Sequence, residues 1–462
     1  MSLRFSELDG ADIGVWGAGA EIGSFAAQTA RRLPGARIAV VALDGDPGED
    51  VRAKLGVPGA RVVTGTEVTA ALGSCDVVVR SPGVPTHRPE LCELRAAGTP
   101  VTTATALWLA ERDGQRVIGV TGTKGKSTTA ALVAHLARAS GQAVGLAGNI
   151  GAPALDLLDR PPTELAVVEL SSYQVADLQT GPEVAVLTNL FREHTDWHGS
   201  EEAYRRDKLR LLGLPGVRAA VLGAREQQVA DAVRPDAARI FYGQPGGWNA
   251  GPDGIAWRGE VVVPAAELPL RGEHNALNVC AALTALAAAG IATPPLPDAL
   301  RDFKALAHRL EVVVERDRVM WVDDSISTTP ESTLAALASF ADREIVLLGG
   351  GQDRGQDYEA LGRALAARGA AVIGLPSTGP RLVAAARRAG VPTTRAIEAD
   401  GMEQAIVHAR PLAGPGTTIL LSPAAPSYDN YRNFQERGAL FQALARSVAE
   451  RRTHNTRRER PQ

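Results

Sequence analysis

Cysteine is scarce: three residues, Cys75, Cys92 and Cys280, are spread over 462 positions. Odd in number and far apart, they offer no disulfide framework and no CxxC metal site, and they point to a reducing compartment. An excess of either charge is also missing. The 49 Lys and Arg stand against 52 Asp and Glu, a net of −3. That balance argues against a nucleic-acid scaffold or a polybasic membrane binder. It leaves small anionic ligands open, because these need only local charge. No apolar run approaches the roughly 18 residues of a membrane-spanning helix. The opening MSLRFSELDGADIG lacks the apolar stretch of a signal peptide. These absences lead to the expectation of a soluble cytoplasmic protein, with neither nucleic acid nor membrane as partner.

Glycine, by contrast, is plentiful: 48 residues, beside 29 prolines. Together they make about a sixth of the chain, short of a disorder signature and suited to tight turns between strands and helices. Hydrophobic residues at 45% and charged residues at 22% are ordinary for a protein with real cores. At roughly 150 residues per domain, the length suggests about three domains. Short β-branched runs recur, each followed by glycine and then an Ala/Leu-rich helical stretch: 11–19, 116–123, 165–170, 183–190 and 343–351. Near-continuous apolar strands alternating with helices predict an α/β protein with parallel sheets covered on both faces. Composition breaks at 108–115 and at the proline-rich 293–298, giving expected domains of 1–110, 111–305 and 306–462. The basic tail from about 450 to 462 has no apolar period and reads as a frayed, solvated end.

The sharpest local signal is Gly122-Thr123-Lys124-Gly125-Lys126-Ser127-Thr128, between the strand pattern RVIGV and a helical one. Such a turn aims backbone N–H groups and a helix N-terminus at an anion. Lys126 would reach the terminal phosphates of ATP and Ser127 would ligate Mg²⁺. Val120 stands where the usual P-loop has its first glycine. Near the N-terminus, Gly17-Ala18-Gly19-Ala20-Glu21-Ile22-Gly23 also follows a strand, one residue longer than the dinucleotide fingerprint. Asp44 ends the next strand, where a ribose-binding acid would sit, and Ser81-Pro82-Gly83 makes a second turn facing the same crevice. NAD, another nucleotide or nucleotide-sugar, and a purely structural turn all remain open there. Glu169 ends a strand and reads either as a Mg²⁺ ligand or as a surface acid. His194 and His198 flank acids without a defensible zinc spacing. Lys208 alone reads as a helix-surface lysine, and Asn275 with Asn278 as helix caps or base-reading amides.

GTKGKST, GNIG at 148–151, ELSSYQ at 169–174, the His194 segment, Lys208, GEHNALN, HRLE at 308–311, DDS at 323–325 and SPAAPSYDNYRNFQERG at 422–438 follow one another in order. Over essentially its whole length the chain resembles the ATP-dependent Mur ligases of peptidoglycan synthesis. The MurD-type branch, which adds glutamate to UDP-N-acetylmuramoyl-L-alanine, is the nearest. The resemblance implies three domains: an N-terminal Rossmann-like UDP-binding domain, a central P-loop ATPase with a mostly parallel sheet, and a C-terminal Rossmann-like domain holding glutamate. It implies ATP, two Mg²⁺ and CO₂ as requirements. Gly122, Thr123, Lys124, Gly125, Lys126, Ser127, Thr128, Asn275, Asn278, Arg309 and Asp324 would surround the nucleotide. Ser127 and Glu169 would hold the first magnesium, and His194 with carbamylated Lys208 the second. Gly17, Gly19, Asp44, Ser81, Gly83, Asn149, Ser171 and Gln174 would serve the UDP-muramoyl substrate. Thr328, Arg354, Ser427 and Phe434 would form the glutamate pocket. A monomer is expected.

Ile326 stands where the D-glutamate-adding pattern usually has a lysine, and Arg354 where it has another. DSISTTP, DRG and SPAAPS resemble a branch that adds L-glutamate and works before a separate epimerase, whereas RNFQERG resembles the D-glutamate enzymes. L-glutamate is the favoured expectation. D-glutamate, and more remotely a folate-polyglutamate-type ligation, are the alternatives.

Overall fold

The computed structural model describes residues 2–45, 51–112, 115–159, 161, 163–191, 195–268, 272–304, 307–340, 342–353 and 356–458. The chain divides into two compact units, Met1–Phe303 and Lys304–Gln462. The first unit carries two parallel sheets. Strands β1 (Asp12–Trp16), β2 (Arg37–Leu43), β3 (Arg61–Thr64), β4 (Val77–Arg80) and β5 (Val101–Thr102) lie in the order β3-β2-β1-β4-β5. Strands β6 (Arg116–Thr121), β7 (Val144–Gly148), β8 (Leu165–Glu169), β9 (Val184–Leu187), β10 (Ala219–Gly223) and β11 (Ala238–Tyr242) lie in the order β11-β10-β9-β6-β8-β7. All their pairings are parallel.

The apolar runs explain these sheets. Every residue of β4, β8, β9 and β10 is buried, as befits strands covered on both faces. The helix Glu273–Ala288, EHNALNVCAALTALAA, is apolar nearly all round and, apart from part-exposed Leu277, is buried from Asn275 to Leu286. It packs along the helix Lys126–Ala139 that follows the phosphate loop, which carries its asparagines to that loop. The strand-forming runs at 11–19, 116–123, 165–170, 183–190 and 343–351 all become strands.

An antiparallel meander in the first unit went unforeseen: β12 (Trp248–Gly251), β13 (Gly254–Trp257) and β14 (Glu260–Pro264). Its strands are short and alternate weakly, so they lack the apolar runs that mark the parallel strands. In the second unit, β15 (Glu311–Arg316), β16 (Val319–Asp323), β17 (Glu344–Gly349), β18 (Ala371–Gly374), β19 (Ala396–Glu398) and β20 (Thr417–Leu421) form one sheet in the order β15-β16-β20-β17-β18-β19. Only β15 pairs antiparallel among these. The last helix is Phe434–Arg458, so helical backbone continues into the stretch read as a tail. Positions 459–462 lie outside the described residues.

Candidate active site

The loop after β6 is built around two glycines in left-handed conformations. Gly122 has φ +146°, and an added Cβ would lie 1.9 Å from Thr188 Oγ1. Gly125 has φ +80°, and an added Cβ would lie 2.5 Å from Asn278 Oδ1. No side chain fits either place. Neighbouring strands pin the loop: the Thr123 N–H donates to Asn189 O at 2.9 Å, and the Lys124 N–H to Asn189 Oδ1 at 2.8 Å. Lys126 is the first residue of the following helix, and its ammonium donates to Thr123 O at 2.9 Å. Gly125, Lys126 and Ser127 remain part-exposed at the helix start, where N–H groups have no helical partner. Thr129 Oγ1 donates to Asn278 Oδ1 at 3.3 Å, and Asn278 Nδ2 to Asn275 Oδ1 at the same distance.

Glu169 is only 1% exposed, which removes the surface-acid reading. It sits on β8 opposite Val120 of β6, two residues before the loop glycine. Asn149 Nδ2 donates to its Oε1 at 3.0 Å, while the buried Oε2 has no hydrogen-bond partner among the described residues. A buried carboxylate oxygen without a donor is costly unless a cation joins it. Lys208 is likewise no surface lysine: it is 1% exposed on the helix Glu201–Gly213, and its Nζ donates to Gly122 O at 2.7 Å. His194 lies outside the described residues. His198 is buried, with Nδ1 2.7 Å from Asp207 Oδ2 and Nε2 3.0 Å from Ser172 Oγ, so neither nitrogen is directed at a metal.

The turns at the C-terminal ends of β1 and β4 meet where the strand order reverses, the usual ligand crevice of such sheets. Gly17 abuts Ser81, whose Cβ is 2.7 Å from where a Gly17 Cβ would stand. Gly19 and Gly83 are exposed. Asp44 already accepts from Trp16 Nε1 at 3.2 Å and from Arg88 at 2.5 Å. Ser171 caps its helix, and Gln174 completes the capping box with its carbonyl oxygen. Gln174 Nε2 donates to Glu21 Oε1 at 2.5 Å, so this amide is committed within the fold. Burial pushes the Glu21 carboxyl above its ordinary range.

In the second unit, the loops after β16, β17 and β20 occupy neighbouring places at the C-terminal ends of adjacent parallel strands. Asp324 is buried and its carboxyl is pushed up to about 6, chiefly by desolvation. Ser422 Oγ donates to it at 2.7 Å and the Leu310 N–H at 3.3 Å. Arg309 Nε is buried without a hydrogen-bond partner among the described residues. Ser427 is 2% exposed, Thr328 is half-buried, and Phe434 begins the last helix with its carbonyl accepting from Ser325 Oγ at 2.8 Å. Arg354 lies outside the described residues.

Residues 120–286 match the Mur ligase middle domain, and residues 308–425 match the Mur ligase glutamate ligase domain. A Micromonospora protein named UDP-N-acetylmuramoyl-L-alanine--L-glutamate ligase is 41% identical, over 97% of this chain and 99% of its own. The chain belongs to the Mur ligase family. The ligase of the same name from Salinispora tropica is 40% identical over 97% of this chain and 100% of its own. Among solved structures, a Thermotoga maritima MurF ligase in complex with ADP superposes with a TM-score of 0.60 at 16% identity, covering 97% of this chain and 99% of that one. The MurC ligase of Thermotoga maritima gives 0.58 at 18%, covering 95% and 100%. At such identities these two establish the shared fold alone. As a Mur ligase the chain is an ATP-dependent ligase.

Two residues make buried contacts here that the sequence does not disclose. Arg437 is 1% exposed and binds Ser325 Oγ at 3.0 Å, Ser325 O at 2.9 Å, Ala425 O at 3.2 Å and Pro426 O at 3.3 Å. It thereby ties together the loops that carry Asp324 and Ser427, and burial pulls its guanidinium down to about 10. Its position inside RNFQERG was the available signal. His198 is the second residue, and nothing in HTDWHG marks it as buried. A cavity of about 860 Å³ lined by Arg4, Arg112, Arg116 and Arg218 opens at the start of β6 and β10, the opposite strand ends from the phosphate loop.

Proposed function

We propose that this chain joins glutamate, in its L form, to the carboxylate of UDP-N-acetylmuramoyl-L-alanine, using ATP, during assembly of the peptidoglycan precursor. The observation that carries the mechanism is Glu169, a buried carboxylate beside a phosphate loop, with one oxygen unpartnered among the described residues. In this reading residues 1–110 hold the UDP moiety, 111–305 the ATP and 306–462 the glutamate. The protein acts in the cytoplasm as a monomer, ahead of an epimerase that inverts the new residue. Among the described residues no helix is long and apolar enough to cross a membrane.

The chemistry brings two anions together, a substrate carboxylate and the γ-phosphate of ATP. The loop N–H groups and the Lys126 ammonium hold the phosphates and screen that repulsion. Glu169, through its orphaned oxygen, and Ser127 would hold one magnesium, and His194 with a Lys208 carbamate would hold a second; such ions would supply positive charge to the meeting oxygens. CO₂ joins the uncharged Lys208 amine with loss of a proton, replacing a cation that would repel the metals by an anion that attracts them. Asn278 and Asn275 brace the loop from behind, and Arg309 with Asp324 serves the nucleotide. The carboxylate takes the γ-phosphoryl group as ADP leaves, and the glutamate amine then attacks the acyl carbon, loses a proton and expels phosphate to leave the amide. Thr328, Arg354, Ser427 and the Phe434 backbone orient the amino acid, while Ile326 presents an apolar wall in place of a cation.

The test is release of ADP and phosphate from purified protein. Stoichiometric release that requires both glutamate and UDP-N-acetylmuramoyl-L-alanine supports the reading. Release without the UDP-sugar, or its stimulation by a folate instead, overturns it. RNFQERG keeps D-glutamate as the second reading, and the configuration of the incorporated residue separates the two.

A further inference from the structure

We propose that His198 is a positioning residue, which locks the lysine-bearing helix and the phosphate loop into one arrangement and so fixes where the Lys208 nitrogen stands. The proposal rests on the ligase reading for its kinetic readout. His198 ends the short helix Thr195–His198, and its side chain is fully buried while its partner Asp207 is 17% exposed. A carboxylate can only accept, so Nδ1–H donates to Asp207 Oδ2 at 2.7 Å. In the neutral ring Nε2 then accepts from the Ser172 hydroxyl at 3.0 Å. The sequence of groups is that of a hydrolase triad, but Ser172 is 2% exposed, which denies it any substrate.

The two hydrogen bonds join different functional segments. Asp207 immediately precedes Lys208, and Ser172 immediately follows Ser171. The faces of the ring reach two more. Tyr204 meets the imidazole edge-on at 5.3 Å, carries the Lys208 ammonium 4.9 Å over its own ring, and shares a 2.7 Å hydrogen bond with Thr123 of the phosphate loop. Trp197 packs on the imidazole at 4.4 Å and donates from Nε1 to Gly83 O at 3.2 Å, in the turn closing the first sheet's crevice. One buried ring therefore sits among the carbamate lysine, the phosphate loop, the capped Ser171 helix and the UDP-side turn. Tertiary packing is stiff, so a shift of this ring moves Lys208, and a displacement of about 1 Å at a reacting group can cost on the order of 10²-fold.

Amide side chains separate the two bonds. His198→Asn places its amide where Nδ1 was and keeps the Asp207 bond; His198→Gln reaches the Nε2 position and loses it. Asp207→Ala removes the bond from the partly exposed side, without opening the core. In full-length protein, assayed below the onset of unfolding, His198→Gln and Asp207→Ala should each lower kcat on the order of 10²-fold, with KM for ATP within about threefold. His198→Asn should recover most of the loss. In ¹³C-bicarbonate the wild type should show a lysine carbamate resonance by NMR, absent in Lys208→Ala, weakened in His198→Gln and Asp207→Ala, and retained in His198→Asn. Wild-type kcat and carbamate signal in Asp207→Ala would overturn the proposal, as would His198→Asn being as impaired as His198→Gln. A wild-type carbamate signal without turnover of the named substrates would sink the substrate reading, leaving the resonance to decide positioning. Turnover without the signal would sink the carbamate, leaving the kcat pattern to decide it. Absence of both in the wild type would overturn both readings.

Discussion

In the proposed function Lys126 and Glu169 divide the electrostatic work at the loop, and each makes a separate prediction. The Lys126 ammonium hydrogen-bonds the loop's own Thr123 carbonyl, an arrangement that a phosphate oxygen can take over without rearranging the helix. Lys126→Ala should lower kcat/KM on the order of 10³-fold, the scale of one lost transition-state charge contact. Its melting temperature should stay near the wild-type value, since a part-exposed helix start tolerates alanine. Glu169→Gln keeps the volume and the Asn149 contact but removes the charge; the Mg²⁺ concentration for half-maximal rate should rise at least about tenfold. An unchanged magnesium titration would remove Glu169 from the metal site. Asp324 makes a prediction about pH. Its carboxyl is raised from 3.8 to about 6 by burial, so the folded state binds a proton that the unfolded state releases between those values. Its contribution to stability is therefore greatest below about pH 4 and is lost as pH rises to about 6, by roughly 3 kcal/mol at most. Asp324→Asn should remove that fall. Denaturant unfolding of both proteins at pH 4.5 and pH 7 measures it, and parallel pH profiles would contradict it.

The elements of the site work in pairs, and the phosphate loop depends on the helix behind it. Gly125 can hold φ +80° only without a side chain, and the Asn278 amide fills the space where one would project. Gly125→Ala carries about 1–2 kcal/mol of left-handed strain in addition to that collision. KM for ATP should rise at least about tenfold. Removing the amide relieves the collision but not the strain, so the Gly125→Ala, Asn278→Ala double variant should be less impaired than the sum of the singles. Strict additivity would show that the two residues do not touch. This pairing also marks the limit of what the sequence discloses. The phosphate-loop motif and the strands around it are legible because strand, glycine turn and helix are neighbours along the chain, whereas Glu169 reads equally as a surface acid. Asn278 meets Thr129 across 149 positions, and Arg437 meets Ser325 across 112. Neither partner advertises the other, and a lysine or histidine pattern on a helix does not tell which face the fold will bury. Lys208 reads as exposed on its own segment but is buried, with its Nζ on the Gly122 carbonyl of the phosphate loop.

At the scale of the whole molecule, the chain is two α/β units: the phosphate loop, Glu169 and Lys208 belong to Met1–Phe303, and the Asp324, Ser427 and Phe434 loops to Lys304–Gln462. Alternating strand and helix patterns made this class of fold readable, whereas the β12–β14 meander lacked any comparable periodicity. The choice of glutamate enantiomer depends on where several pocket groups meet one Cα, a property no motif measures. In the proposed function that choice turns on Ile326: an apolar side chain there would leave a carboxylate of the wrong enantiomer unpaired, a loss of a few kcal/mol, so Ile326→Lys should erode the proposed preference for L-glutamate. The most direct measurement offers the purified wild-type protein ATP, UDP-N-acetylmuramoyl-L-alanine and each glutamate enantiomer separately. It follows ADP release, and reads the configuration of the incorporated residue by chiral chromatography after hydrolysis. The account predicts one ADP per amide formed and L-glutamate in the product. Incorporation of D-glutamate alone would contradict the stereochemical assignment, and incorporation of neither enantiomer would contradict the ligase account as a whole.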